Sequence, residues 1–302
     1  MSEIADNPAL LDIFTKIHSA RGLDFTQYKE NMLLRRVASR MLKYDVKTYD
    51  EYLKIVEKEP GELDELVNSL SINVTEFFRN SESFNAIRNI VIPHIVAIKR
   101  ERKHKIIKAW SCGCSHGDEP YSLAMLFLEK LGSSCDNFLV NVIGSDIDCG
   151  AINEAKNRVY TQNDIKALDD IIVKKYFEKA DDGTFRINNT VADMVRFRCH
   201  DVINAPPFMH CDVILCRNLL IYFNRQLQEE TLLKLFDCLN PGGFLVLGMT
   251  ESLCGSAARY FEVVDNKLRI YRRPEKVGNI EVLNEVLSQG EIDNIVKRTV
   301  NA

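Results

Sequence analysis

Long apolar runs are missing from this 302-residue chain. The longest nearly uninterrupted one, residues 91–98, contains Pro93 and His94 and falls far short of the ~20 apolar residues a membrane span needs, so no membrane insertion is expected. The amino terminus has acids and no basic stretch before an apolar core, which gives no secretory signal and an expected cytoplasmic location. Excess basic charge is missing too. A net charge of −4 argues against nucleic-acid binding through the whole surface. Glycine and proline are scarce, 14 and 8 residues, while 46% of the chain is hydrophobic and 27% charged, which excludes collagenous, low-complexity and wholly disordered classes. Nine cysteines, an odd number scattered singly, offer no disulfide framework and are expected to be reduced. Cys112, Cys114 and His116 lie close together, but no second ligand pair follows at zinc-ribbon spacing, so no metal is expected.

What is present changes character along the chain. Residues 1–72 carry helical spacing throughout, in Leu10, Leu11, Phe14 and Ile17, then Leu33, Leu34, Val37 and Met41, then Leu63, Leu66, Val67 and Leu70. A small all-α domain is the expectation there. After Lys105, short apolar runs at 106–110, 139–144, 195–199, 212–216 and 244–249 alternate with helical segments, which predicts a mostly parallel sheet covered by helices on both faces. Residues 261–264 and 268–271 flank Asp265-Asn266 and predict a terminal antiparallel hairpin. Turn residues within 176–198 predict a small inserted β-subdomain, and residues 275–302 read as a linker and a short helix.

Five segments carry candidate chemistry. In WSCGCSHGDEPYSLAM, residues 110–125, an apolar strand enters a turn where Gly113 and Gly117 let backbone approach a ligand, and Pro120 suits the first helical turn. The GxxxG spacing matches neither phosphate-cradling glycine fingerprint. In GSDID, residues 144–148, Asp146 follows a strand, either as a helix cap or as an acceptor for two ribose hydroxyls. NVTEFFRN, residues 73–80, joins the two regions. CRNLLIYF, residues 216–223, places Arg217 and Asn218 just past a strand's carboxyl end, where open α/β sheets bind ligands. NPGGFLVLGMTES, residues 240–252, is a tight turn into a late strand.

In this order and spacing the five segments resemble the CheR family, S-adenosylmethionine-dependent methyltransferases that esterify glutamates on bacterial chemoreceptors, and the match spans residues 10–272. The resemblance implies an α/β fold. Its parts are a helical receptor-recognition domain over 1–72, a Rossmann-like class I methyltransferase domain over 73–274 and a tail over 275–302. It further implies that Asn73, Thr75 and Arg79 line the cofactor pocket with Gly113, that Glu119 and Asp146 hold polar groups, that Asp201 and Val202 flank the adenine, and that Arg217 and Asn218 close the site. His116-Gly117-Asp118 departs from the family's commoner Thr-Gly-Glu. Arg79 would orient the methionyl carboxylate and the entering substrate, and Tyr222 would line the methyl-transfer site.

The basic stretch of residues 21–50, seven Lys/Arg against four Asp/Glu, includes Arg35, Arg36 and Arg40. By composition this is a solvated helix face; the resemblance makes it a grip on the acidic helical bundle of a receptor. The turn after Tyr176-Phe177 is short beside that of family members that bind a receptor pentapeptide, so no such tether is expected. In residues 284–298, Ser288 and Glu291 form a capping box ahead of Ile292, Ile295 and Val296. That segment either docks on its own domain or, since it resembles the amino-terminal peptide of the flagellar switch protein FliM, recruits a CheY-like response regulator. The expected product pair is a glutamate methyl ester and S-adenosylhomocysteine. The alternatives are a methyltransferase for another acceptor and a cofactor-binding signalling adaptor.

Overall fold

The computed structural model describes residues 3–25, 27–70, 73–132 and 137–275, so the tail segment 284–298 lies outside the described residues. The chain divides into two compact units.

The first unit holds the chain up to Val74 together with Leu219–Gln228. Its helices are α1 (Glu3–Asp6), α2 (Pro8–Arg21), α3 (Glu30–Lys43), α4 (Tyr49–Lys58) and α5 (Glu62–Leu70). Local chemistry sets the ends. Asn7 accepts from the Leu10 amide at 3.2 Å to start α2, and Gly22, at φ 70°, stops it in the left-handed region that glycine tolerates. Thr48 and Glu51 close a reciprocal capping box on α4. Each longer helix buries one stripe: Leu10, Ile13 and Ile17 on α2, Leu33, Val37 and Met41 on α3, Leu66 and Leu70 on α5. The segment 219–228, which sequence alone leaves with the sheet, groups with these helices. Lys29 donates its amide to the Tyr222 carbonyl at 2.8 Å, Asn224 to Gln27 at 3.0 Å, and buried Phe223 meets Tyr28 edge-on at 5.0 Å. Backbone pairing and an aromatic contact therefore outweigh chain continuity.

The second unit begins with α6 (Ser81–Ala86), a π-helical turn (Ile87–Val91) and α7 (Ile92–Glu101). Then follow β1 (Ile106–Cys112), α8 (Asp118–Leu131), β2 (Leu139–Asp146), α9 (Cys149–Asn157), β3 (Val159–Tyr160), α10 (Gln162–Ile165), α11 (Asp170–Tyr176), β4 (Phe177–Lys179), β5 (Phe185–Ile187) and α12 (Asn189–Ala192). It ends with β6 (Val195–Cys199), β7 (Cys211–Cys216), α13 (Arg225–Cys238, from Glu229 in this unit), β8 (Leu239–Leu247), β9 (Glu262–Asp265) and β10 (Ile270–Arg272). The main sheet has seven strands in the order β6-β2-β1-β7-β8-β10-β9. The first five are parallel, and β10 runs antiparallel to β8 and β9 as the expected terminal hairpin. The strands of the centre are mostly apolar because both faces are covered; all six residues of β7 are buried, Asp212 among them. Fully buried Trp110 on β1 still satisfies its indole N–H, which donates to Ser145 Oγ at 2.8 Å.

Two sequence expectations are corrected. The inserted subdomain is the antiparallel sheet β3-β5-β4, starting at Val159, and it does not extend to 198. Val195 and Phe197 instead pair with Val142 and Gly144 in the main sheet, since burying their apolar face there outweighs a local turn signal. The cysteines are not all thiols: Cys149 and Cys199, with Cα atoms 5.0 Å apart, form a disulfide. Strand order puts β6 beside β2, so residues separated by 50 positions become neighbours that no spacing pattern reveals.

Candidate functional site

β1, β2, β7 and β8 end on one edge of the sheet, and the strand order reverses between β1 and β7. Open α/β sheets bind ligands outside such a reversal. The loops there carry most of the residues singled out above.

Arg217, one residue past β7, is the centre of one cluster. Its Nη1 donates to Glu119 Oε2 at 2.9 Å, and its Nη2 donates to the Arg79 carbonyl at 2.7 Å and to Asn80 Oδ1 at 2.9 Å. The guanidinium also lies over the Phe84 ring, 5.2 Å from its centroid. The other Glu119 oxygen accepts from Ser111 Oγ at 2.8 Å. With the Arg217 side chain 1% exposed and that of Glu119 14%, removing either partner strands a nearly dry charge, which costs about 3–5 kcal/mol. Three sequence motifs thus meet at the Arg217 guanidinium.

Asp146 ends β2 and anchors a second cluster. Ser115 donates its amide to Oδ2 at 2.8 Å, and Asp148 donates its amide to Oδ1 at 3.0 Å. Burial raises its pKa, opposed by the backbone donors Asp148, Ser115 and Ile147, and a carboxylate has acceptor capacity beyond those three for a ligand hydroxyl. The helix-cap role falls to Asp148, whose Oδ1 accepts from Gly150 and Ala151 at the start of α9. The turn between β1 and α8 is compact by necessity. Gly113 sits at φ 73° and donates to the Ser145 carbonyl, and a Cβ on Gly117, at φ 92°, would lie 2.8 Å from Ala155 and Phe197.

Other expected site residues do different work. Asn218, at φ 60°, is held by its amide donating to Glu251 Oε2 at 2.8 Å, and the same oxygen accepts from Gly248 at 2.7 Å. Asp201 spends its carboxylate on its own turn, accepting from Ile203, Asn204 and the Asn204 side chain, while Val202 is buried. Thr75 bonds the Asp118 carboxyl, which burial pushes up to about 7 against the pull of nearby His116. Asn73 and Tyr222 belong to the helical unit.

Of the three basic-face residues, Arg35 is exposed and Arg36 half-buried. Arg40 is a correction to the solvated-face reading. It donates to buried Glu62 at 2.9 Å, and Tyr52 and Tyr44 donate to the same carboxylate at 2.6 and 2.7 Å. Burial opposes ionisation of Glu62, yet the donors from Arg40, Tyr52 and Tyr44 hold its pKa below the usual range. Arg40 therefore ties α3 to α5.

Sequence reasoning missed Asn80, Ser111, Ser115 and Glu251. Each lies inside or beside a quoted motif, but only the fold shows which of its polar atoms turn to the site.

Comparison with known proteins agrees with this geometry. The CheR methyltransferase all-alpha domain matches residues 8–71, and the CheR methyltransferase SAM-binding domain matches residues 73–270. A chemotaxis protein methyltransferase of Listeria innocua is 31% identical over 237 residues, 78% of this chain and 87% of that protein. One from Borreliella burgdorferi is 29% identical over 244 residues, 80% of this chain and 86% of its own length.

Proposed function

This chain belongs to the CheR methyltransferase family and works in chemotaxis with S-adenosylmethionine as cofactor, and from that premise we propose that its acceptors are glutamate side chains of chemoreceptor helical bundles. The products are then the glutamate methyl ester and S-adenosylhomocysteine.

The observation that carries the reading is the juxtaposition of Asp146 with the Glu119–Arg217 pair at the strand ends. The cofactor presents two ribose hydroxyls, an ammonium and a carboxylate, and these residues are an acceptor, an anion and a cation. Two buried polar atoms, Ser115 Oγ and Arg217 Nε, have no hydrogen-bond partner among the described residues and fit a ligand rich in such groups. When bound, S-adenosylmethionine supplies an electrophilic methyl on a sulfonium. An acceptor glutamate, with an ordinary pKa near ~4.3, is ionised at neutral pH, so no general base is required of the protein.

The chain's own task is binding and alignment, which is worth up to ~7–11 kcal/mol where reacting atoms are held in line. Asp146 accepts from the ribose, Glu119 and Arg217 address the amino-acid end, and Arg79 orients the carboxylate and the entering substrate. Thr75 and Gly113 line the pocket, Val202 with the Asp201 turn flanks the adenine and Asn218 closes the site. Arg35 and Arg36 meet the acidic receptor helices. On this reading the reaction is cytoplasmic. Among the described residues, no helix is long and apolar enough to cross a membrane. For residues 284–298 the sequence pattern, Ser288 and Glu291 ahead of Ile292, Ile295 and Val296, supports recruitment of a CheY-like regulator, and unchanged affinity for it after deleting residues 280–302 would sink that part.

The test is transfer of radiolabelled methyl to receptor cytoplasmic fragments, with release as methanol in base. Base-labile label that disappears in Arg79→Ala is the expected outcome. Tight cofactor binding without transfer to any receptor fragment overturns the acceptor assignment.

A further inference from the structure

Cys149 and Cys199 stand apart from the other described cysteines. The remaining six are buried, while these two are exposed and joined to each other. Their position is specific. Cys199 is the last residue of β6 and sits in register with Asp146 on β2, and the next residue, His200, donates its amide to the Asp146 carbonyl at 2.8 Å. Cys149 opens α9, directly after the Asp148 cap whose amide donates to Asp146 Oδ1. Both sulfurs lie by the Ile147 carbonyl, at 4.0 and 3.8 Å. The disulfide therefore joins the end of β6 to the start of α9 next to Asp146.

We propose that Cys149 and Cys199 form a reversible thiol–disulfide pair that sets cofactor affinity, the disulfide form binding more tightly. The proposal rests on the reading above that Asp146 and the Asp201–Val202 turn hold the adenosine half of the cofactor. The physical cause is preorganisation. With the bond formed, the start of α9 and the chain entering the Asp201 turn are fixed before binding; as thiols, they must be ordered by the ligand, which weakens its affinity. In a reducing compartment such an exposed pair acts as a sensor more than as a staple.

The redox step needs a soluble disulfide such as oxidised glutathione. One protein thiolate attacks it, forming a mixed disulfide and expelling one glutathione thiolate. The second cysteine, as its thiolate, attacks the mixed disulfide and expels the other. Two protein thiols are oxidised to one disulfide, one glutathione disulfide is reduced to two thiols, and the two protons pass to the released thiolates. By linkage, bound cofactor must then favour the disulfide by the same factor by which the disulfide favours cofactor.

The test uses the full chain poised in glutathione redox buffers, with the bond assigned by mass spectrometry and S-adenosylhomocysteine affinity measured by calorimetry. We expect the disulfide form to bind about five- to tenfold more tightly than the dithiol form. Cys149→Ser and Cys199→Ser should each show the dithiol affinity under both conditions. Saturating S-adenosylhomocysteine should shift the thiol–disulfide equilibrium by the same factor. Equal affinities, tighter binding by the dithiol form, or no bond between these two residues in the oxidised protein overturns the proposal. Asp146→Asn separates the premise from the inference. If it weakens binding while the two redox forms of the unsubstituted chain bind equally, the switch alone fails; if it leaves affinity unchanged, the adenosine reading fails and takes the proposal with it.

Discussion

Asp118 is a carboxylic acid in the first turn of α8, 7% exposed, where an acid suits the helix dipole but little water reaches it. Burial is the main cause of its rise to about 7; Asp164 and Glu76 add to it, while His116 and the Thr75 hydroxyl oppose it. Because the folded pKa lies above the ordinary 3.8, the native protein holds more protons than the unfolded chain between those values. This contribution to stability is complete at acid pH and is lost as pH rises through about 7. Asp118→Asn should remove that loss. The variant is expected to melt about 2–6 °C above the unsubstituted protein at pH 8 and to show a smaller difference at pH 5, as calorimetry at the two pH values would reveal. Sequence marked Asp118 only as a departure from the family's glutamate. Its burial beside Thr75 is tertiary, because residues 43 positions apart in the chain have no spacing rule.

At the level of elements, the β/α alternation is readable because central parallel strands are mostly apolar and the helices between them have a separate period. Short elements are not. β3 has two residues and β4 three, too few to display any period, so only their pairing with β5 defines the subdomain. Close packing of α8 on the sheet depends on Gly144 in β2, where a Cβ would lie 2.8 Å from the Phe197 ring and 3.0 Å from Pro120. Both neighbours are ring atoms locked in the core, so they cannot swing away. Gly144→Ala is therefore expected to destabilise the protein by about 1–3 kcal/mol, read as a lower urea midpoint with unchanged slope. The amphipathic stripe of α3 was equally legible, whereas the inward turn of Arg40 was not. Glu62 is 22 residues away, and only the packing of α3 on α5 makes it the partner.

For the whole molecule, the uneven charge matters more than the net −4. Arg35 is exposed and Arg36 half-exposed on α3, whereas Arg40 is internally paired, so a receptor-binding face would rest on the first two. Reversing both, with Arg35→Glu and Arg36→Glu, should lower methyl transfer to receptor fragments about tenfold or more at low salt and much less at high salt. Affinity for S-adenosylhomocysteine, measured on the same protein, should not change. Sequence by itself determined the helical region, the parallel strands, the terminal hairpin and the five motifs of the family, because each is written in local periodicity or in a contiguous run of residues. The tertiary structure alone decided that Arg217 pairs with Glu119, that Cys149 meets Cys199, that residues 219–228 join the helical unit and that Arg40 turns inward. Those are contacts between segments far apart in the chain, and strand order and helix packing bring them together; no pattern along the chain encodes them.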